Sequence, residues 1–161
     1  MEENLLDNIL KGGEVMSDVF VYDKAKYHYQ SEFPNDISSD QAFVHTGMFL
    51  GWIIDNTLFS KEFEEETQIE INKFKQRDIS GTHIYMCWDG VLTDDMLNDE
   101  GNKFAKSYFD FGTGLYLKDY EETFPNLETL YHVNDNWENY FKIKAVIDKR
   151  YLECKKNKEI I

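Results

Sequence analysis

The chain has 161 residues, 42% of them apolar and 30% charged, which suits one globular domain large enough to bury a hydrophobic core. Seventeen basic against thirty-one acidic residues give a net charge of −14, and the imbalance lies before Asn136, since the stretch from there to the end holds seven basic and four acidic residues. Such a field repels phosphate backbones, which excludes nucleic acid as a partner, and it favours encounter with a basic protein.

In chain order, residues 1–17 read as a flexible appendage, a short amphipathic turn through Leu5, Leu6, Ile9 and Leu10 that Gly12-Gly13 stops. Met1 to Leu10 lacks the basic n-region of a secretory signal. Asp18 to Phe33 fits a helix capped by Asp18 or Asp23, and Pro34-Asn35-Asp36 makes a turn. A helix then runs from Ser38, Ser39 or Asp40 to about Leu58. It is apolar nearly all round and should be the buried centre. Gly47 and Gly51 share one of its faces, each costing roughly 1 kcal/mol of helix propensity, so a neighbouring element should approach closely there.

Ser60 to Gln76 reads as a surface helix capped by Ser60, with Glu62, Glu64, Glu65, Glu66 and Glu70 outward. Thr82 to Trp88 fits helix or strand, and Cys87 within it reads as a small buried hydrophobe. Asp89 to Gly101 is an acidic connection. Lys103–Phe109 and Leu115–Phe124 look helical, Leu127–Val133 reads as a short strand, and Asn136–Lys156 as a closing helix before a frayed tail, 157–161. The predicted architecture is mainly α: one domain over 18–156, a compact bundle of five or six helices around the buried central one. A minor β element is expected near Ile84 or Leu130, α+β being the alternative.

Tests for chemistry are mostly negative. The four histidines form no H-E-x-x-H motif, and Cys87 and Cys154 lack zinc spacing. The acidic stretch fails the EF-hand pattern, which would put Met96 or Tyr85 at the first ligand position. Gly112-Thr113-Gly114 is a bare GxG, read as a helix break. No Ser, Thr or Cys sits in a nucleophile motif. His28 and His45 are the metal candidates, able to meet if their helices pack side by side with Asp23 or Asp55 nearby. No cofactor is expected. What stands out is the surface: Asp94, Asp95, Asp99, Glu100 and Asp119 interleave with Tyr108, Tyr116 and Tyr120. That pattern reads as an acidic face with aromatic anchors for a basic partner.

Three stretches carry a resemblance: Tyr22-Asp23-x-Ala25-x-Tyr27-His28-Tyr29 into Phe33-Pro34-x-Asp36; His45-x-Gly47-Met48-Phe49-Leu50-x-Trp52; and Leu97-Asn98-x-Glu100-Gly101-Asn102-x-Phe104 leading to Tyr116-Leu117-x-Asp119-Tyr120-Glu121. Over about residues 20–122 the chain resembles an uncharacterised bacterial family of small acidic proteins, a domain of unknown function, which carries over no catalytic residues. By analogy of size and charge it is similar to immunity proteins that accompany toxins.

The sequence therefore predicts a cytoplasmic protein-binding domain, an immunity protein that occludes a basic toxin domain, with no membrane span, since no stretch nears the ~18 apolar residues required. The alternatives are a small enzyme or metal-binding domain centred on His28 and His45, and a structural or regulatory interaction module.

Overall fold

The computed structural model describes residues 19–160, so the appendage expected at 1–17 lies outside the described residues. The chain enters on strand β1 (Val21–Lys24), passes directly into the short helix α1 (Ala25–Tyr29), and after a 3-10 segment (Ser39–Phe43) forms the central helix α2 (Val44–Asp55). Helix α3 (Lys61–Lys75), helix α4 (Gly81–Cys87), strand β2 (Val91–Thr93) and a 3-10 turn (Asp94–Met96) follow. Helix α5 (Asp99–Tyr108), helix α6 (Tyr116–Thr123), a further 3-10 turn (Leu130–His132) and the long helix α7 (Trp137–Ile160) complete the fold. Helix α7 thus continues past the boundary set at 156 from the sequence. The architecture is mainly α with a minor β element, as predicted, and none of the described helices is long and apolar enough to cross a membrane.

Four local expectations need correction. The β element is not near Ile84 or Leu130. It pairs β1 with β2 antiparallel, Lys24 opposite Val91 and Val21 opposite Thr93. The stretch predicted as one helix from Asp18 to Phe33 therefore begins as a strand, because its partner lies in the segment read as an acidic connection. Leu127–Val133 is a turn with a 3-10 core, since no strand among the described residues stands beside it. Cys87 is exposed: α4 is a helix, capped by the Ser80 hydroxyl that accepts from His83 N–H at 3.1 Å, and its last turn faces outward.

Helix α2 buries every residue from Val44 to Ile54, so it must be covered on all sides. On one side α4 crosses it through glycine. A Cβ at Gly47 would stand 2.4 Å from Thr82 Cα, and one at Gly81 would stand 2.3 Å from the Gly47 carbonyl oxygen. On another side aromatic rings pack, Phe49 on Phe109 at 4.5 Å and Trp52 on Phe104 at 5.1 Å between centroids. Helix α7 closes the core with Tyr140, Ile143 and Ile147, and Asp148 accepts the Trp52 indole N–H at 2.8 Å. Asp55 is engaged elsewhere, by Arg77 at 3.2 Å and by the Tyr140 hydroxyl at 2.5 Å.

Candidate metal centre

Strand β1 contains a register irregularity between Val21 and Asp23. In a regular strand neighbouring side chains point to opposite faces, and an extra residue re-aims one of them. Here both Tyr22 and Asp23 turn inward and are buried. Tyr22 reaches Asn102 Oδ1 at 2.6 Å, while Asp23 is buried against α1 and α2. One turn into α1, His28 folds back so that its Nε2 lies 2.8 Å from Asp23 Oδ1, and its Nδ1 lies 2.7 Å from the Tyr131 hydroxyl. At the start of α2, Thr46 donates its hydroxyl to Asp23 Oδ2 at 2.6 Å.

His45, beside Thr46, completes the group. Its ring stands 4.6 Å from that of His28, edge to face, and its Nε2 is 3.8 Å from Asp23 Oδ2. One ligand atom from each of Asp23, His28 and His45 lies within 4.8 Å of the others, a spacing that small side-chain adjustments close around one ion of bond length about 2.0–2.2 Å. His45 is 1% exposed, and neither of its ring nitrogens has a hydrogen-bond partner.

The electrostatics favour ligation. Burial drives the His45 pKa down to about 4, against a partial pull upward from Asp23, so the imidazole is neutral at pH 7 with a lone pair to offer. Burial alone would raise the Asp23 carboxyl. The His28 hydrogen bond, the two histidine rings and Thr46 outweigh it and leave the group below its ordinary value. The site thus holds an ionised carboxylate and a neutral, unpartnered imidazole side by side. A second group, Asp36, Glu128 and His132, lies at the surface with both carboxylates exposed, the ordinary state of solvated charges.

Of the metal candidates, His28 and His45 meet around Asp23 and not around Asp55. Thr46, which donates to Asp23, and Tyr131, which pairs with His28, belong to the same site and were missed. Adjacency of Thr46 to His45 was the one signal available for them. The aromatic-acidic face needs correction. Tyr108, Tyr116, Asp119 and Tyr120 are buried, because α5 and α6 turn those sides inward. Tyr108 donates to Asp119 at 2.7 Å, Arg150 of α7 holds the same carboxylate at 2.8 Å, and Tyr116 donates to the His45 carbonyl at 2.5 Å. Asp95, Asp99 and Glu100 stay exposed and Asp94 is half-buried.

Comparison with curated proteins and with solved structures finds no match. A family model does match residues 21–133, a span that contains Asp23, His28, His45 and Tyr131, and the chain belongs to that family, a domain of unknown function, DUF7832.

Proposed function

We propose that this domain binds a transition-metal ion through Asp23, His28 and His45. The observation that supports it is His45, a fully buried imidazole with no partner at either nitrogen beside a buried carboxylate. Each unpaired buried polar group costs about 1–3 kcal/mol, a large share of the about 5–15 kcal/mol that holds a domain folded. A purely structural Asp23–His28–Tyr131 chain would account for His28 and leave both His45 nitrogens unpaired; an ion would take up one of them. Two imidazoles and one carboxylate suit zinc, iron, copper or nickel rather than calcium or magnesium, which prefer oxygen shells. Tyr131 would accept from His28 Nδ1–H, the outer hydrogen bond that orients a ligating histidine.

Titration of chelator-treated protein with Zn²⁺ or Co²⁺ tests this reading. One equivalent should bind, and at a free-ion concentration of 100 times Kd the protein should gain about 2.7 kcal/mol of stability. His45→Ala and Asp23→Ala should each abolish the gain. Absence of stoichiometric binding to the folded native protein sinks the reading.

A second reading, a cytoplasmic immunity protein that meets a basic toxin domain, has its own support. Trp88 floors a groove rimmed by Glu66, Glu70 and Asp89, and its ring is half-buried against Phe63 at 5.1 Å. Carboxylates around an indole face suit a Lys or Arg side chain. The gene should protect cells from the toxin encoded beside it, and Glu66→Lys with Glu70→Lys should remove protection. If no toxin gene lies beside it, this reading fails.

A further inference from the structure

We infer that the turn Thr129–Val133 is a gate over this centre and that Gln41 is the latch that keeps it shut. The inference rests on the metal-binding reading and names the route by which the ion enters and leaves.

The three ligand side chains differ in their access to solvent. Those of Asp23 and His45 are 2% and 1% exposed, while that of His28 is 15% exposed. An ion held among them is therefore reached past His28. An open groove lies on that side, lined by Tyr27, His28, Gln30, Glu32 and Tyr131, and the exposed Glu32 carboxylate draws cations toward it. Tyr131 belongs to both groove and centre. Its hydroxyl lies 2.7 Å from His28 Nδ1, and its ring centroid is 5.5 Å from that of His28 and 5.8 Å from that of His45. Phe111 covers the same two rings at 6.0 and 5.9 Å, but it is packed on the buried Phe109 at 4.8 Å.

The stretch that carries Tyr131 is lightly held. None of residues 123–132 is buried. The backbone bonds that Phe124 and His132 donate are local, to the Tyr120 and Thr129 carbonyls at 3.1 Å each. Segments with few buried contacts open at the lowest cost. One side chain ties the turn down at both ends: Gln41 Nε2 donates to the Tyr131 carbonyl at 2.7 Å and to the Val133 carbonyl at 2.9 Å, which uses both hydrogens of the amide. The His132–Asp36 pair at 3.2 Å adds little, because the Asp36 side chain is 57% exposed. Gln41 itself is well anchored. It sits in the 3-10 segment Ser39–Phe43 that runs directly into α2, four residues before His45. Opening the gate thus breaks side-chain bonds to the turn and leaves β1, α1 and α2, which carry the ligands, in place. Gln41 holds the turn in the same way with and without an ion, so its loss favours opening of both forms alike. Uptake and release should quicken together while the equilibrium between them holds.

The test follows Co²⁺ uptake by the full, chelator-treated chain in a stopped-flow spectrometer, through the visible absorption of the bound ion, and its release into excess EDTA. In the native protein the observed uptake rate should level off as Co²⁺ is raised, at the rate of gate opening. Gln41→Leu should raise that plateau and the release rate by about tenfold, the factor that one lost hydrogen bond of ordinary strength gives, with Kd unchanged. Thr113→Ala, which removes an exposed hydroxyl bond to Asp110, should match the native protein throughout. A native uptake rate that climbs in proportion to Co²⁺ over the whole resolvable range overturns the gate and leaves the metal-binding reading intact. Native rates in Gln41→Leu, or a weaker Kd without faster uptake, overturn it as well, since Gln41 is then a structural support. Absence of Co²⁺ binding removes both readings. Should Gln41→Leu not fold, the presence or absence of the plateau in the native protein decides.

Discussion

His45 is the residue on which the chemistry turns, and its energetics can be separated from its ligation. In chelator-treated protein it buries two unpaired nitrogens, so an apolar side chain of similar reach should serve the core better. His45→Leu should raise the stability of the metal-free protein at pH 7 by about 1 kcal/mol and abolish any Zn²⁺-dependent gain. The pH dependence has a definite sign. The His45 pKa falls from 6.5 to about 4 on folding, so between those values the unfolded chain takes up a proton that the folded chain refuses. Stability should therefore drop as pH is lowered from 6.5 toward 4, by on the order of 3 kcal/mol. Asp23 and Asp119, both held below the ordinary carboxyl value, contribute stability above the unfolded carboxyl pKa and lose it only at lower pH. Urea unfolding at pH 7 and pH 5 isolates His45, because His45→Leu should lack the difference. An equal loss in both proteins would place the titrating group elsewhere.

At the scale of elements, the glycine contact between α2 and α4 yields the sharpest expectation. Gly47→Ala and Gly81→Ala drive a methyl group into backbone, at 2.4 and 2.3 Å, which cannot retreat without parting the helices. Each should cost about 1–3 kcal/mol in urea unfolding. Gly51→Ala meets only the rims of Phe74 and Tyr140, at 3.0 to 3.2 Å, and should cost less. Equal costs at all three positions would mean that the helices give way easily. That contact was legible in the sequence, since two glycines four apart on an apolar helix have few other uses. So were α3, with its Ser60 cap and stripe of Phe63, Ile71 and Phe74, and the span of α6. The sheet was not. Val21 and Tyr22 suit a strand or a helix equally, and what decides is pairing with Val91–Thr93, a segment remote in sequence. The same non-locality left the carboxylate of the centre open between Asp23 and Asp55: Asp23 and His28 become neighbours only because the bulged strand turns into a helix. The aromatic face was misread because nothing local marks Asp119 as the partner of Arg150.

For the whole molecule, α7 decides whether the family segment is self-sufficient. Residues 21–133 hold every group of the candidate centre, yet much of what covers that segment comes after it. Tyr140, Ile143 and Ile147 are buried against the central helix, Asp148 takes the Trp52 indole, and Arg150 neutralises Asp119 with bonds at 2.8 and 2.9 Å. The stretch from Asn136 also carries the basic excess that partly offsets the acidic body. Arg150→Ala strands a covered carboxylate. Its cost should be about 2 kcal/mol, below that of breaking a deeply buried pair because the guanidinium is 34% exposed. A chain ending at Val133 loses all of these at once and uncovers Trp52 and Phe74. It should show no cooperative thermal transition and no near-ultraviolet circular dichroism, while keeping helical far-ultraviolet signal. If it instead melts cooperatively and still binds metal, α7 is an accessory, and the site is held by β1, α1, α2 and α4 alone.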